Sequence, residues 1–335
     1  MAKMITRRRA ILIMAAAAGL PLLSRVAYGK VEDAPLMWNG IALGAPATLI
    51  LNMEDRDRAG ALINRVVAEI VRLERIFSLY RMDSVLCGLN KEGAMAAPPP
   101  ELVEVLEMCQ YVWQKSDRLF DPTVQPLWTL YANHFAKSDP DPAGPNSEDI
   151  RTALSSVGFE NIKFNRTRVV FTRRPMALTL NGIAQGYITD KIVELLRAEG
   201  ITSSLVDMGE VRAIGNQSDG QPWRVGLSAV ASRGKSETVL KIMDKSVSTS
   251  SASGFQFDET SGFGHILNPL SGQARSGYAR LTVVGERASV ADAFSTAFSL
   301  MEPDKVRTTV ASERNLSVDL VSLNGDRLRF GPDVW

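Results

Sequence analysis

Residues 291–297, Ala-Asp-Ala-Phe-Ser-Thr-Ala, place a carboxylate and a hydroxyl four positions apart in an apolar, helix-like run. Positions i and i+4 share one face of a helix, so Asp292 and Thr296 project together. Two oxygen donors on one face suit a hard cation such as magnesium. A solvated pair or a local hydrogen bond is the ordinary reading of so short a pattern. Its weight therefore comes from the rest of the chain.

Working outward, the helix is expected over Ala288–Met301. Gly40–Leu51 reads as an opening strand with a glycine turn. In Arg58–Phe77, Leu62, Ile63, Val66, Val67, Ile70, Val71 and Leu73 form a helical stripe. Gly93–Pro100 reads as a loop, and Pro100–Leu119 as an amphipathic helix with proline near its start. A surface loop is expected over Ser138–Ser147, and paired strands at Arg168–Phe171 and Ala177–Leu180. Gly186–Glu199 reads as a helix stopped by Gly200, followed by short strands within Ile201–Ile214 and at Trp223–Leu227. Strands and helices intersperse without regular βαβ alternation, which predicts an α+β class. With 45% hydrophobic residues, the chain can bury a large core, as a single large domain or two tightly packed lobes.

The N-terminus reads as a signal peptide over 1–29. Arg7-Arg8-Arg9 precede an apolar run, Ala10–Leu23, of 14 residues, short of the roughly 20 that cross a bilayer. The arginines resemble a twin-arginine signal, and Ala27-Tyr28-Gly29 offers small residues for cleavage. Export by the twin-arginine translocase into the periplasm is expected. Removing 1–29 takes away five basic residues and leaves 33 basic against 37 acidic ones, a formal charge of −4. That balance gives no case for nucleic-acid binding. Cys87 and Cys109 are the only cysteines; they read as two buried thiols, and no zinc pattern is present.

Six segments then occur in order: Phe77–Ser84 with Leu89-Asn90, Phe120–Leu127, Leu180–Asp190, Val206–Gly209, His265–Gly272 and the Asp292 helix. Together they resemble the ApbE family of FAD:protein FMN transferases over almost the whole chain beyond the signal. The resemblance implies an ApbE-like fold of mixed sheets with packed helices. It also implies a magnesium-dependent reaction that splits FAD at its pyrophosphate, attaches FMN through its phosphate to a threonine of an acceptor protein, and releases AMP. Such chemistry is mostly positioning and charge neutralisation.

By the same resemblance the metal ligands are Asp292, Thr296 and the carbonyl of Ala184. Asp292 and His265 are the catalytic candidates, His265 as a general base for the acceptor threonine. The nucleotide-binding candidates are Leu43, Tyr80, Leu119, Phe120, Asp121, Asn181, Gln185, Tyr187, Thr249, Ser250, His265 and Ile266. Tyr80 offers an aromatic face for a flavin or adenine ring.

Four positions depart from the family pattern. Asn268 stands where Asp is usual, Gln185 where Lys or Glu is common, Glu210 in place of the second glycine of a pair, and Ser251 in place of glycine. The chain looks like the NosX-type branch, whose members flavinylate a membrane-bound redox protein of the NosR type in nitrous oxide respiration. Two other readings stay open: a hydrolase cutting FAD to FMN and AMP, and a non-catalytic flavin-binding maturation factor.

Overall fold

The computed structural model describes residues 35–228, 236–258, 262–313 and 315–335; the expected signal segment, 1–29, lies outside them. In chain order the elements are β1 (Leu36–Ala42), β2 (Ala45–Leu51), α1 (Arg56–Phe77), α2 (Val85–Glu92), β3 (Ala94–Ala96), α3 (Pro100–Lys115), α4 (Gln125–Phe135), α5 (Ser147–Leu154), β4 (Ile162–Asn165), β5 (Arg168–Phe171), α6 (Ala184–Ala198), β6 (Ser204–Asp207), β7 (Val211–Ile214), β8 (Trp223–Ser228), β9 (Ser236–Ile242), β10 (Ser246–Ser251), β11 (Tyr278–Gly285), α7 (Ala288–Phe298), α8 (Pro303–Ser312), β12 (Ser317–Ser322) and β13 (Arg327–Phe330).

An eight-stranded sheet in the order β1-β2-β6-β7-β10-β11-β12-β13 forms the frame, with a three-stranded sheet β3-β5-β4 and a hairpin β8-β9 beside it. Every strand pair is antiparallel. With no parallel crossover among the described residues, the α+β expectation holds.

The period of two along β2 sorts its side chains to two faces. Leu49 and Leu51 join the main core with α1, α6 and α7, whereas Ile50 joins Trp223, Val225 and Leu240 on the other side. The stripe read on α1 is buried at Leu62, Val66, Ile70 and Leu73, while Val71 is left exposed. Asp55 caps α1, accepting from the Arg58 amide at 2.9 Å. Gly200 follows α6 at φ +80°, the left-handed stop that favours glycine.

Several boundaries move. The opening strand is a hairpin whose turn residues Leu43 and Gly44 both have positive φ, 47° and 83°, as a tight two-residue turn requires. Residues 177–180, read as a strand, pair with no strand. The Leu178 amide donates to Asn90 Oδ1 at 2.7 Å and the Leu178 carbonyl accepts from Asn90 Nδ2 at 2.8 Å. One asparagine side chain thus supplies what a ladder would. The partners of β5 are β4 and the short β3, which lies in the segment read as a loop. The helix from Pro100 ends at Lys115, four residues before the expected Leu119. The Asp292 helix ends at Phe298 rather than Met301.

Cys109 is buried, Cys87 is half-buried, and both are free thiols. Among the described residues no helix is long and apolar enough to cross a membrane.

Candidate functional site

The first four amides of a helix have no partner inside it. Here two helices solve that problem for each other. Gly186 lies in the first turn of α6, and its amide donates to Asp292 Oδ2 of α7 at 3.1 Å. In return Asp190 of α6 receives the first turn of α7. Its Oδ1 accepts from the Ala288 amide at 2.9 Å, and its Oδ2 from the Ser289 amide at 3.1 Å and the Ser289 hydroxyl at 2.5 Å. Neither helix has a side-chain cap at its own N-cap position. The positive end of each helix dipole meets a carboxylate of the other. Asp190 is completely buried, and its charge is paired with Arg212 at 2.5 Å.

This packing demands glycine twice. A Cβ at Gly186 would fall 2.4 Å from the Ala288 carbonyl oxygen. A Cβ at Gly182 would fall 2.9 Å from Thr296 Oγ1, so the bare backbone there leaves room for that hydroxyl. The Asp292 carboxylate, the Thr296 hydroxyl and the backbone around Ala184 therefore belong to one junction.

The electrostatics of that junction are unbalanced. Burial pushes the Asp292 carboxyl up to about 7, against the Gly186 amide, which favours the charged form; Asp190 adds to the rise. Glu210, just before β7, is raised well above the usual carboxylate range by burial and by Asp292 and Asp207, while the Ser248 hydroxyl and the Thr249 amide act the other way. Asp207 is raised to about 6 by burial, opposed by the Gly209 amide. Among the described residues no basic side chain pairs with Asp292 or Glu210.

A carboxylate, a hydroxyl and a backbone carbonyl without a counter-charge form a donor set that suits magnesium. Among the described residues no three His, Cys, Asp or Glu side chains converge as a metal cluster. A cation here would lean on hydroxyl and carbonyl oxygens as well.

Strand β10 links this junction to His265. Ser250 Oγ lies 2.7 Å from Ser295 Oγ, and Ser295 Oγ donates to the Asp292 carbonyl at 2.9 Å. Ser251, next along the strand, lines a cleft of about 290 Å³ together with His265, Ile266, Gln256 and Arg275. His265 Nδ1 lies 3.0 Å from the Phe255 carbonyl oxygen. A carbonyl only accepts, so Nδ1 carries the proton and Nε2 is left with its lone pair. Burial holds the imidazole below its usual range, opposed by the Phe255 carbonyl. The ring is therefore a neutral base at neutral pH.

The other expected residues divide. Asn181 lies at the Tyr80 hydroxyl, which burial pushes up, and Tyr80 is 46% exposed. Leu43 is tied to α1 just before the Tyr80 segment by its amide, which donates to Glu74 Oε1 at 2.8 Å. Gln185 is buried, its amide group packed under Gly209. Thr249 Oγ1 pairs with Thr282 Oγ1 at 3.0 Å, leaving its amide directed at Glu210. Phe120 is buried against Gly182, and Leu119 packs on the main core.

Asp121 spends one oxygen on its own turn and the other on the backbone at Phe159. Oδ1 accepts from the Thr123 amide at 2.8 Å and hydroxyl at 2.5 Å, and Oδ2 from the Phe159 amide at 2.9 Å. Tyr187 is not gathered at Asp292. It is fully buried, edge-on to Phe77 with its hydroxyl donating to Glu104 at 2.6 Å.

One of the departures from the family pattern is conservative in geometry. Asn268 Oδ1 accepts from the amides of Leu270 and Ser271 at 2.9 and 3.0 Å, a role an aspartate fills equally. Ser251 Oγ donates to the Ala279 carbonyl at 3.1 Å.

Asp190, Arg212 and Ser295 have no role legible in the sequence alone. A charged residue between Ile188 and Ile192 on a helix with an apolar face was the available signal for Asp190.

Relatives of this chain are found both by sequence and by architecture. A protein of Escherichia coli strain K12 named FAD:protein FMN transferase is 23% identical over 286 residues, 82% of this chain and 80% of its own length. One of the same name from Treponema pallidum is 28% identical over 272 residues, 73% and 72% of the two lengths. Among solved structures, the apo flavinyl transferase ApbE of Pseudomonas stutzeri superposes with a TM-score of 0.76 at 24% identity, covering 90% of this chain and 97% of that one. The flavin transferase ApbE of Vibrio cholerae gives 0.78 at 20% identity, over 88% and 97%. These likenesses establish an ApbE fold. The sequence profile of the ApbE family matches residues 43–319, and the chain belongs to that family.

Proposed function

We propose that this protein is a magnesium-dependent FAD:protein FMN transferase. The observation that carries the reading is the α6–α7 junction, where Asp292, Thr296 and the backbone around Ala184 meet with no counter-charge among the described residues. The names of its relatives from Escherichia coli and Treponema pallidum support the same activity.

In the proposed reaction the acceptor threonine hydroxyl attacks the phosphorus on the FMN side of the FAD pyrophosphate. The phosphorus–oxygen bond to AMP breaks, AMP leaves with the bridging oxygen, and a phosphoester joins FMN to the threonine. Asp292, Thr296 and the Ala184 carbonyl would hold the magnesium ion, which when bound neutralises charge on the pyrophosphate. His265 Nε2 takes the threonine proton. Tyr80, with Asn181 at its hydroxyl, offers a stacking face for a ring of FAD.

The arginine-led N-terminus supports twin-arginine export and action in the periplasm. The acceptor is then a periplasmic domain of a membrane-bound redox protein, with a NosR-type protein of nitrous oxide respiration the first to try.

Mass spectrometry of such an acceptor domain after incubation with the protein, FAD and magnesium tests the proposal. The expected result is an FMN adduct on threonine with AMP released, lost in Asp292→Ala. FMN and AMP accumulating beside an unlabelled acceptor would replace the transferase with a hydrolase. Tight FAD binding without turnover would indicate a maturation factor.

A further inference from the structure

Among the described residues Arg275 is the one basic side chain that borders the His265 cleft, and the reaction above does not use it. Backbone pairing brings it there. The Gly264 amide donates to the Ala274 carbonyl at 2.8 Å, and the Asn268 amide donates to the Gln273 carbonyl at 2.8 Å. His265 and Arg275 are each one residue from the first of these bonds. Gln256 pairs with Gly264 from the other side through an antiparallel bridge and adds an exposed amide side chain. The turn between β12 and β13 contributes Leu323, which is 68% exposed. The Arg275 guanidinium lies over the Phe263 ring, 5.0 Å from its centroid. Among the described residues no carboxylate pairs with it.

The cleft is separate from the proposed metal site. Asp292, Thr296 and Ala184 do not border it, and of the nucleotide-binding candidates only His265 and Ile266 do. A base that takes the threonine proton stands beside the chain that carries the threonine. At about 290 Å³ the cleft is at the lower limit of ligand pockets, about 300 Å³, which suits one or two side chains of a docked segment better than a dinucleotide. We propose that this cleft seats the acceptor protein, with Arg275 meeting a carboxylate near the flavinylated threonine and Leu323 covering an apolar side chain. This rests on the transferase reading above and adds the chemistry of its partner.

The consequence is selection at the step that delivers the hydroxyl. Arg275 is held by a ring rather than by an acid, so a partner carboxylate can pair with it without displacing an ion pair. Leu323 loses its contact with water only when a partner lies against it. Together they favour a threonine flanked by one acidic and one apolar residue.

The test measures KM for the acceptor domain of the labelling experiment and KM for FAD separately, with product followed by mass spectrometry. Arg275→Gln and Leu323→Asp should each raise the acceptor KM by about tenfold or more. KM for FAD and kcat at saturating acceptor should stay close to those of the unaltered protein. The acceptor KM of the unaltered protein should rise with ionic strength; Arg275→Gln should flatten that dependence and Arg275→Lys should restore part of it. A KM for FAD that rises in Arg275→Gln would make the cleft a nucleotide subsite and overturn the proposal. An unchanged acceptor KM in Arg275→Gln or in Leu323→Asp overturns it while leaving the transferase standing. Absence of labelling by the unaltered protein overturns both.

Discussion

Asp190→Asn isolates the contribution of reciprocal capping to stability. The Asp190 carboxylate is surrounded only by donors: the amides of Ala288 and Ser289, the Ser289 hydroxyl, and the guanidinium of Arg212, with Arg287 Nε at 3.5 Å. Asparagine supplies one acceptor and one NH₂ group, so one side of the new amide must face donors with a donor. It also leaves the Arg212 charge buried without a partner, and Arg212 Nε already has no hydrogen bond. Removing one partner of a buried ion pair costs about 3–5 kcal/mol, and loss of a helix cap about 1 kcal/mol. The two overlap in the same atoms, so a total of about 4 kcal/mol is expected. Urea unfolding with an unchanged m value measures it. Arg287→Ala, which touches the exposed edge of the same network, should cost under about 1 kcal/mol. Adding Arg212→Met to Asp190→Asn should recover part of the loss, because the stranded charge is then gone. A cost below about 1 kcal/mol for Asp190→Asn, or no recovery in the double variant, would refute the argument.

Gly186→Ala should force α6 and α7 apart, since its Cβ would meet the Ala288 carbonyl oxygen at 2.4 Å; a loss of about 2–4 kcal/mol in urea unfolding and of Mn²⁺ binding is expected. Tyr187→Phe removes a hydroxyl that reaches only Glu104, so it should cost about 1 kcal/mol and leave flavin transfer unchanged when product is followed by mass spectrometry. The metal-free protein should lose stability as pH rises from about 4 towards 7, because folded Asp292, pushed up to about 7, keeps a proton that the unfolded chain has released. Excess magnesium should flatten that slope, since it binds the ionised form; a metal-free protein that gains stability across this window in urea titrations would contradict the shift of Asp292.

What the sequence displayed most clearly was whatever lies on one element. The Asp292–Thr296 pair is an i, i+4 relation within one helix, and the stripe of α1 is a local period; both appear in the structure where they were read. Residues 177–180 show the limit, since their pattern is that of a strand but Asn90, far away in sequence, pairs the backbone of Leu178. Tyr187 shows it again: the motif places it beside Gly186, yet one step around a helix turns its ring into the core.

The same logic explains why the proposed metal-binding residues lie where they do. Gly182 faces Thr296, Gly186 faces Asp292 and Ala288, and Asp190 faces Ala288 and Ser289. Rising along α6 in steps of four means descending along α7, so the two helices run antiparallel through this contact. In such an arrangement the N-terminus of one helix lies beside the later turns of the other. Asp292 can then cap α6 at Gly186 while the Thr296 hydroxyl, one turn on, stays beside Gly182. Asp190 holds the opposite end, at the first turn of α7. A slip of one residue between the helices would break both caps and carry Asp292 and Thr296 away from Ala184 together. The junction thus couples the register that positions the ligands to the hydrogen bonds that stabilise the helices, and a variant that loses one loses the other.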